Sequence, residues 1–173
     1  QDPDRFYPSF YYTGSDFDGS QLECAWKQLA KRLPILRTLF IPTGSRQLPF
    51  LQVILKETDN SVHWHASVEE MLQSGSRPTI ESGPVALHAT KTAAGIMIDL
   101  RIHHALYDAV SLPKMLSLLG QCITDRAPRV TGPSLADLVA FQTVQSPLQV
   151  REKFWKDYLG QSTYKAVPQK REA

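Results

Sequence analysis

The apolar positions of the chain fall into runs of two different periods, and each change of period marks where an element begins or ends. Leu22, Trp26, Leu29 and Leu33 recur at the spacing of one helix face behind a Ser20-x-x-Glu23 pattern that reads as a capping box, and Pro34 closes the run. The stretches 35–41 and 50–55 are rich in β-branched, aromatic and leucine residues, which predicts two strands, and Val62 to His65 predicts a third, short one. Ser67-x-x-Glu70 opens a brief helix that fades in the loop 74–78. The best hairpin pattern runs from Val85 to Thr92, turns over Ala93, Ala94 and Gly95, and returns from Ile96 to His103. Its second arm alternates, with Ile96, Ile98, Leu100 and Ile102 on one face and Met97, Asp99, Arg101 and His103 on the other. Continued by one residue, the strand would put His104 on the apolar face. The period then becomes helical through Leu112, Met115, Leu116, Leu119 and Ile123, with Ser111 and Pro113 at the start.

Residues 126–133 read as a Pro/Gly linker, followed by helical stretches starting near Ser134 and near Ser146-Pro147. The second carries Val150, Phe154, Trp155, Tyr158 and Leu159 and ends at Gly160. Residues 164–173 have no periodicity and are set apart, as a crossing segment or frayed end, from a unit spanning 1–163. This order of elements predicts an α+β fold, a mixed or antiparallel sheet with helices packed on one side of it.

Composition narrows the function classes. A 173-residue chain that is 42% hydrophobic can bury a sizeable core, as one domain or one lobe of a larger one. A formal net charge of +2 gives no field that would select a nucleic acid or an anionic membrane as partner. The absence of a basic-then-apolar start or a long apolar run predicts a soluble, cytoplasmic protein. Cys24 and Cys122, without Cys-x-x-Cys spacing, read as two buried thiols rather than a disulfide scaffold or a zinc site. His63 and His65 share a strand face but have no third convergent ligand in the pattern, so no metal is expected. Asp99 and Arg101 read as cross-strand solubilising charges, and Trp26, Phe154 and Trp155 as core packing.

One grouping can carry reaction chemistry: His103 and His104, followed by Asp108 and Ser111. An imidazole near its ordinary pKa of about 6.5 exchanges a proton at physiological pH, and a positioned general base is worth roughly 10²–10⁴ in rate. It also needs its tautomer held, by a carbonyl or a carboxylate. Ser111 lacks a Gly-x-Ser-x-Gly elbow and reads as a helix cap rather than a nucleophile.

His103-His104-x-x-x-Asp108-x-x-Ser111 resembles the HHxxxDxxS signature of nonribosomal peptide synthetase condensation domains, within the chloramphenicol-acetyltransferase-like superfamily. Two further segments strengthen the resemblance. Ala25 to Leu29 with Leu33 to Phe40 is similar to the family's W-x-x-L and R-x-P-I-L-R-T-x-F segment, and Phe154 to Gly160 to its Y-W-x-x-x-L-x-G element. The wording around the histidines looks most like fungal synthetases that make hydroxamate siderophores.

The resemblance implies one lobe, the amino-terminal one, of a two-lobe fold, and an acyltransferase whose substrates ride on the 4′-phosphopantetheine arms of upstream and downstream carrier domains. His104 would position or deprotonate the attacking amine or stabilise the tetrahedral intermediate, and His103 would be mainly structural. Asp108 would hold the loop through an arginine, with Arg37 or a residue of the carboxy-terminal lobe as partner. Ala109 stands where the family has glycine, a position associated with the backbone N–H near the oxyanion; alanine keeps the donor but restricts the backbone. The chain also lacks the family's opening helix and its second lobe, which implies little activity alone. The ring of His104 should face a cleft whose opposite wall belongs to the second lobe, and a ring turned outward into bulk solvent, or packed in a sealed interior with no groove beside it, would end the reading. A stand-alone coenzyme A-dependent acyltransferase, a non-catalytic module that docks carrier proteins, and an epimerisation domain remain as alternatives.

Overall fold

The computed structural model describes residues 6–46, 49–75, 79–81, 83–124, 132–145 and 147–160. Contacts divide the chain into two compact units, Gln1–Val130 and Thr131–Ala173.

The first unit is built on a four-stranded mixed sheet. Strands β1 (Ser9–Gly14), β4 (Val62–His65), β5 (Val85–Thr92) and β6 (Gly95–Ile102) lie in the order β1-β6-β5-β4. The two contacts of β6 are antiparallel and β5 pairs β4 in parallel, while β2 (Thr38–Pro42) and β3 (Phe50–Ile54) form a separate antiparallel pair. Strand β1 is an addition to the elements read from the sequence. The stretch expected to be a strand from residue 35 begins as one only at Thr38, because Pro34–Arg37 form a 3-10 turn. Proline at the first turn position sets the helical φ, and the Thr38 hydroxyl donates back to the Pro34 carbonyl at 2.9 Å.

Helix α1 (Gly19–Arg32) is capped by Asp18 with Gln21, not by Ser20 with Glu23: the Asp18 carboxylate accepts from the Gln21 N–H at 2.9 Å, and the Gln21 side chain accepts from the Asp18 N–H at 2.8 Å. Its stripe of Leu22, Ala25, Trp26, Leu29 and Ala30 is buried, and it packs with α3 (Ser111–Ile123) against Leu87, Ala89, Ile98, Leu100 and Ile102 of the sheet. Helix α2 (Val68–Gln73), capped by Ser67, lies on the other face of the sheet, so helices cover both faces and not one as the element order predicted. This changes the meaning of the polar positions on β5 and β6. His88, Thr90, Asp99 and Arg101 are all buried, and Asp99 and Arg101 form an internal ion pair of 2.8 Å in place of the expected solubilising charges.

The hairpin turn is two residues long, Ala93 and Ala94, because Gly95 already pairs with Thr92. Gly95 has φ +122°, and a Cβ there would stand 2.3 Å from the Gly14 carbonyl oxygen of β1, so both backbone conformation and close approach require glycine.

The second unit holds α4 (Leu135–Gln145), whose start is braced by reciprocal hydrogen bonds between Ser134 and Asp137, and α5 (Leu148–Gly160). Phe154 and Trp155, expected in a core, are 57% and 53% exposed and pack edge-on to one another; α5 buries none of its residues. Of the two thiols, Cys122 is buried but Cys24 is exposed, because it sits one position off the apolar stripe of α1. The loop residues 76–78, much of the linker, Ser146 and the tail 164–173 lie outside the described residues.

Candidate active site

The paired histidines follow directly from the end of β6. Ile102 is its last paired residue, opposite Val85, and the His103 N–H extends the ladder to the Pro84 carbonyl at 2.8 Å. The strand does not continue to His104. Instead the His103 side chain turns the chain: its Nδ1 accepts from the Ala105 N–H at 3.0 Å, its carbonyl accepts from the Leu106 N–H at 3.0 Å, and a 3-10 turn runs over His104–Leu106 with Leu106 buried beneath it. His104 therefore lies on the surface of the turn rather than on the apolar face of a strand.

The two imidazoles have different surroundings. The ring of His103 stands edge-on to Tyr7, with centroids 4.6 Å apart, and burial, followed by the charge of neighbouring His104, pushes its pKa down. With Nδ1 accepting a backbone N–H, its neutral tautomer carries the proton on Nε2. Burial pushes the Tyr7 phenol up to about 12. The ring of His104 is exposed and lies flat on Tyr107, with centroids 4.6 Å apart and planes 8° from parallel. Its Nδ1 is 3.2 Å from the Tyr107 carbonyl oxygen. A carbonyl can only accept, so Nδ1 donates and the lone pair of the neutral ring resides on Nε2. Tyr107 is itself held edge-on by Phe10 of β1, centroids 5.6 Å apart.

The Asp108–Ser111 pair explains its own spacing. The Asp108 carboxylate accepts from the N–H groups of Val110 and Ser111 at 3.0 and 2.7 Å and from the Ser111 hydroxyl at 2.7 Å, while the Asp108 N–H donates to the Ser111 oxygen at 2.8 Å. This is the reciprocal form of a capping box, placed where the chain enters α3. The Ser111 N–H, then the Ser111 hydroxyl and the Val110 N–H, hold the Asp108 carboxyl below the ordinary carboxylate range. The exposed Ala109 N–H has no acceptor among the described residues.

Arg37 is not part of this loop. Its guanidinium donates to the carbonyls of Ala30, at 2.9 Å, and of Leu55 and Lys56, tying α1 to the end of β3. Of the two partners expected for Asp108, Arg37 is thus corrected: it serves another junction, and the three donors to Asp108 are local and all reach Oδ1. An open cavity of about 400 Å³ lies near the strand exit, bounded by Arg37, Asn60, His63 and Pro84 among others, and neither histidine of the pair lines it. His63 and His65 of β4 each stack on His88 of β5, with His65 Nε2 2.9 Å from His88 Nδ1. Among the described residues no group of three or more His, Cys, Asp or Glu side chains is arranged to hold a metal ion.

Tyr107, Phe10 and the Asp99–Arg101 pair were not legible as parts of the site from sequence spacing. The available signal was the lone charged pair inside an otherwise apolar strand two residues before the histidines.

No protein-family model matches the chain. It is 35% identical over 161 residues to the nonribosomal peptide synthetase sidC of Arthroderma benhamiae and 30% identical over 165 residues to the hydroxamate-type ferrichrome siderophore peptide synthetase of Schizosaccharomyces pombe. These alignments take in 90% and 89% of this chain and 3% of each relative's length. Among solved structures, the epimerization domain from the third module of tyrocidine synthetase B matches with TM-score 0.69 at 20% identity, over 97% of this chain and 43% of that one. The condensation domain of the monacolin K polyketide synthase matches with TM-score 0.65 at 18% identity, over 92% and 38%. Both identities are low, so these structures speak to fold, which is that of the chloramphenicol-acetyltransferase-like domains. No helix among the described residues is long and apolar enough to cross a membrane. By sequence the chain resembles nonribosomal peptide synthetases, fungal siderophore synthetases among them, and its fold is the one shared by condensation and epimerization domains.

Proposed function

We propose that the chain is the histidine-bearing, amino-terminal lobe of an acyl-transfer site, with residues 1–163 forming the lobe. In this reading an amine held on a downstream carrier domain attacks the thioester carbon of an acyl group on an upstream carrier's 4′-phosphopantetheine. A C–N bond forms, the C–S bond breaks, and the amine's proton passes by way of His104 Nε2 to the departing thiolate. The product is an amide, or an ester where the nucleophile is a hydroxyl. His103 and the Asp108–Ser111 box shape the turn, and in this reading the Ala109 N–H donates to the developing oxyanion.

The observation that carries this reading is the His104 tautomer. The Tyr107 carbonyl engages Nδ1, so the tautomer of the neutral ring has its lone pair on Nε2, and the exposed ring is held flat against a second ring. A histidine with a merely structural role has no need of that free, oriented lone pair. The ring of His104 is exposed, the outcome that counts against the expected cleft, so the reading stands only with a second lobe supplying the opposite wall. The chain alone is then inactive, since near-attack geometry and exclusion of water need both walls. The cytoplasm, with carrier domains of the same synthetase as partners, is the setting proposed for it.

The test is His104→Ala in the synthetase that carries this chain, followed by single-turnover transfer between loaded carrier domains. The expected loss is about 10²–10⁴-fold, the range for a positioned general base. Transfer at the unaltered rate would refute catalysis by His104 and leave a docking module as the better description.

A further inference from the structure

We propose that Arg101, paired with Asp99, is a positioning residue for the histidine turn, a claim that builds on the acyl-transfer reading of His104. The pair sits on β6 two residues before His103, and strand periodicity puts Asp99, Arg101 and His103 on the same face. Arg101 is 6% exposed and Asp99 is fully buried. The guanidinium is engaged in several directions at once: Nε donates to Asp99 at 2.8 Å, one terminal nitrogen to the Ser74 carbonyl at 2.7 Å, and the other to the Met71 carbonyl at 2.7 Å. Met71 and Ser74 are at the carboxyl end of α2, where free carbonyls and the helix dipole favour a cation.

The same helix returns to the sheet by a second route. Glu70 of α2 approaches His65 of β4 at 3.8 Å, and His65 hydrogen-bonds His88 of β5, which lies directly opposite Asp99 in the β5–β6 register. Polar side-chain contacts thus run from α2 through β4 to β5, and from β6 back to α2, while among the described residues His88 Nε2 and Asp99 Oδ1 are buried without a hydrogen-bond partner. The exit of β6 is also pinned by its neighbours, through the His103 N–H to Pro84 and the Ile102 N–H to Pro8. Along the chain Arg101 is the residue of the ion pair nearer His103, two positions before it.

Stability alone is a poor reason for such a pair. Desolvating two charges offsets most of their attraction, and apolar replacements of similar volume are often neutral or stabilising. What the pair supplies is direction. A planar fork bonded to Asp99, Met71 and Ser74 admits one placement of the strand end, which an apolar side chain or a lysine does not enforce. The backbone that leaves Arg101 sets the start of the 3-10 turn, and the turn sets where His104 Nε2 points.

The experiment compares Asp99→Leu/Arg101→Met, Arg101→Lys and His104→Ala in the carrying synthetase, measuring kcat and KM for transfer between loaded carriers. Imidazole ¹⁵N spectra of the 173-residue chain report the His104 tautomer in parallel. For the double variant the expected result is a folded protein with kcat down by about 100-fold, the scale of an ångström's misplacement. KM should stay within about twofold, and the Nδ1–H signature of His104 should be lost or averaged. Arg101→Lys should fall between the double variant and the parent, and it decides the matter should the double variant not fold. An unchanged kcat, or an unchanged His104 signature in a folded variant, overturns the positioning role. Turnover that survives His104→Ala overturns the acyl-transfer reading instead, and the two failures are told apart because the imidazole spectra do not depend on catalysis.

Discussion

His88 offers a quantitative check on the buried polar face of the sheet. Its ring is 1% exposed, and its pKa is pushed down to about 3, first by burial and then by the charges of Arg101, His63 and His65. The unfolded chain takes up a proton at this residue near pH 6.5, while the folded chain does not until near pH 3. Between those values the unfolded state binds more protons, so stability rises with pH and is lost as pH falls below about 6.5. At pH 5 the unfolded side chain is some 1.5 pH units below its ordinary pKa, and each unit is worth about 1.4 kcal/mol, so folding is weakened by about 2 kcal/mol relative to pH 7. That figure hardly changes for any folded value below 4, since the unfolded titration sets it. The measurement is urea unfolding of the chain and of His88→Leu at pH 7 and pH 5, followed by amide signals of β5 and β6. Subtracting the variant removes the titrating groups that do not interact with His88. The chain should lose about 2 kcal/mol more than the variant on acidification. Equal losses in the two proteins would refute a neutral, buried His88 and the two-faced sheet that buries it.

Two further outcomes follow from local geometry. Gly95→Ala should destabilise the first unit by about 2 kcal/mol or more, because φ +122° excludes a side chain and the new Cβ would meet the Gly14 carbonyl; an unchanged urea midpoint would contradict the hairpin geometry. In the carrying synthetase, Asp108→Asn should retain much more transfer activity than Asp108→Ala, since the amide oxygen still accepts from Val110 and Ser111, with the alanine variant down roughly tenfold to 100-fold in kcat. Equal, large losses in both would show that the charge of Asp108, and not its hydrogen bonding, is what transfer requires.

The sequence by itself determined the helix stripe of α1, the β5–β6 hairpin, the brief helix behind Ser67 and the place of the paired histidines between a strand and α3. These were legible because each is a local pattern: a period of 3.6 or 2, a cap, or a proline that ends a run. The D-x-x-S spacing was equally local, being a reciprocal capping box. Tertiary structure decided what no period encodes. Strand β1 owes its pairing to β6, and from β1 Phe10 holds Tyr107, which in turn orients His104. Asp99 and Arg101 look like surface charges along the strand and become an internal pair only because α2 covers that face. Arg37 and Asp108 carry opposite charges, but their donors and acceptors are satisfied at different junctions. Burial and hydrogen-bond partners belong to the packed molecule, and they are what separates a histidine that braces a turn from one with a free, directed lone pair.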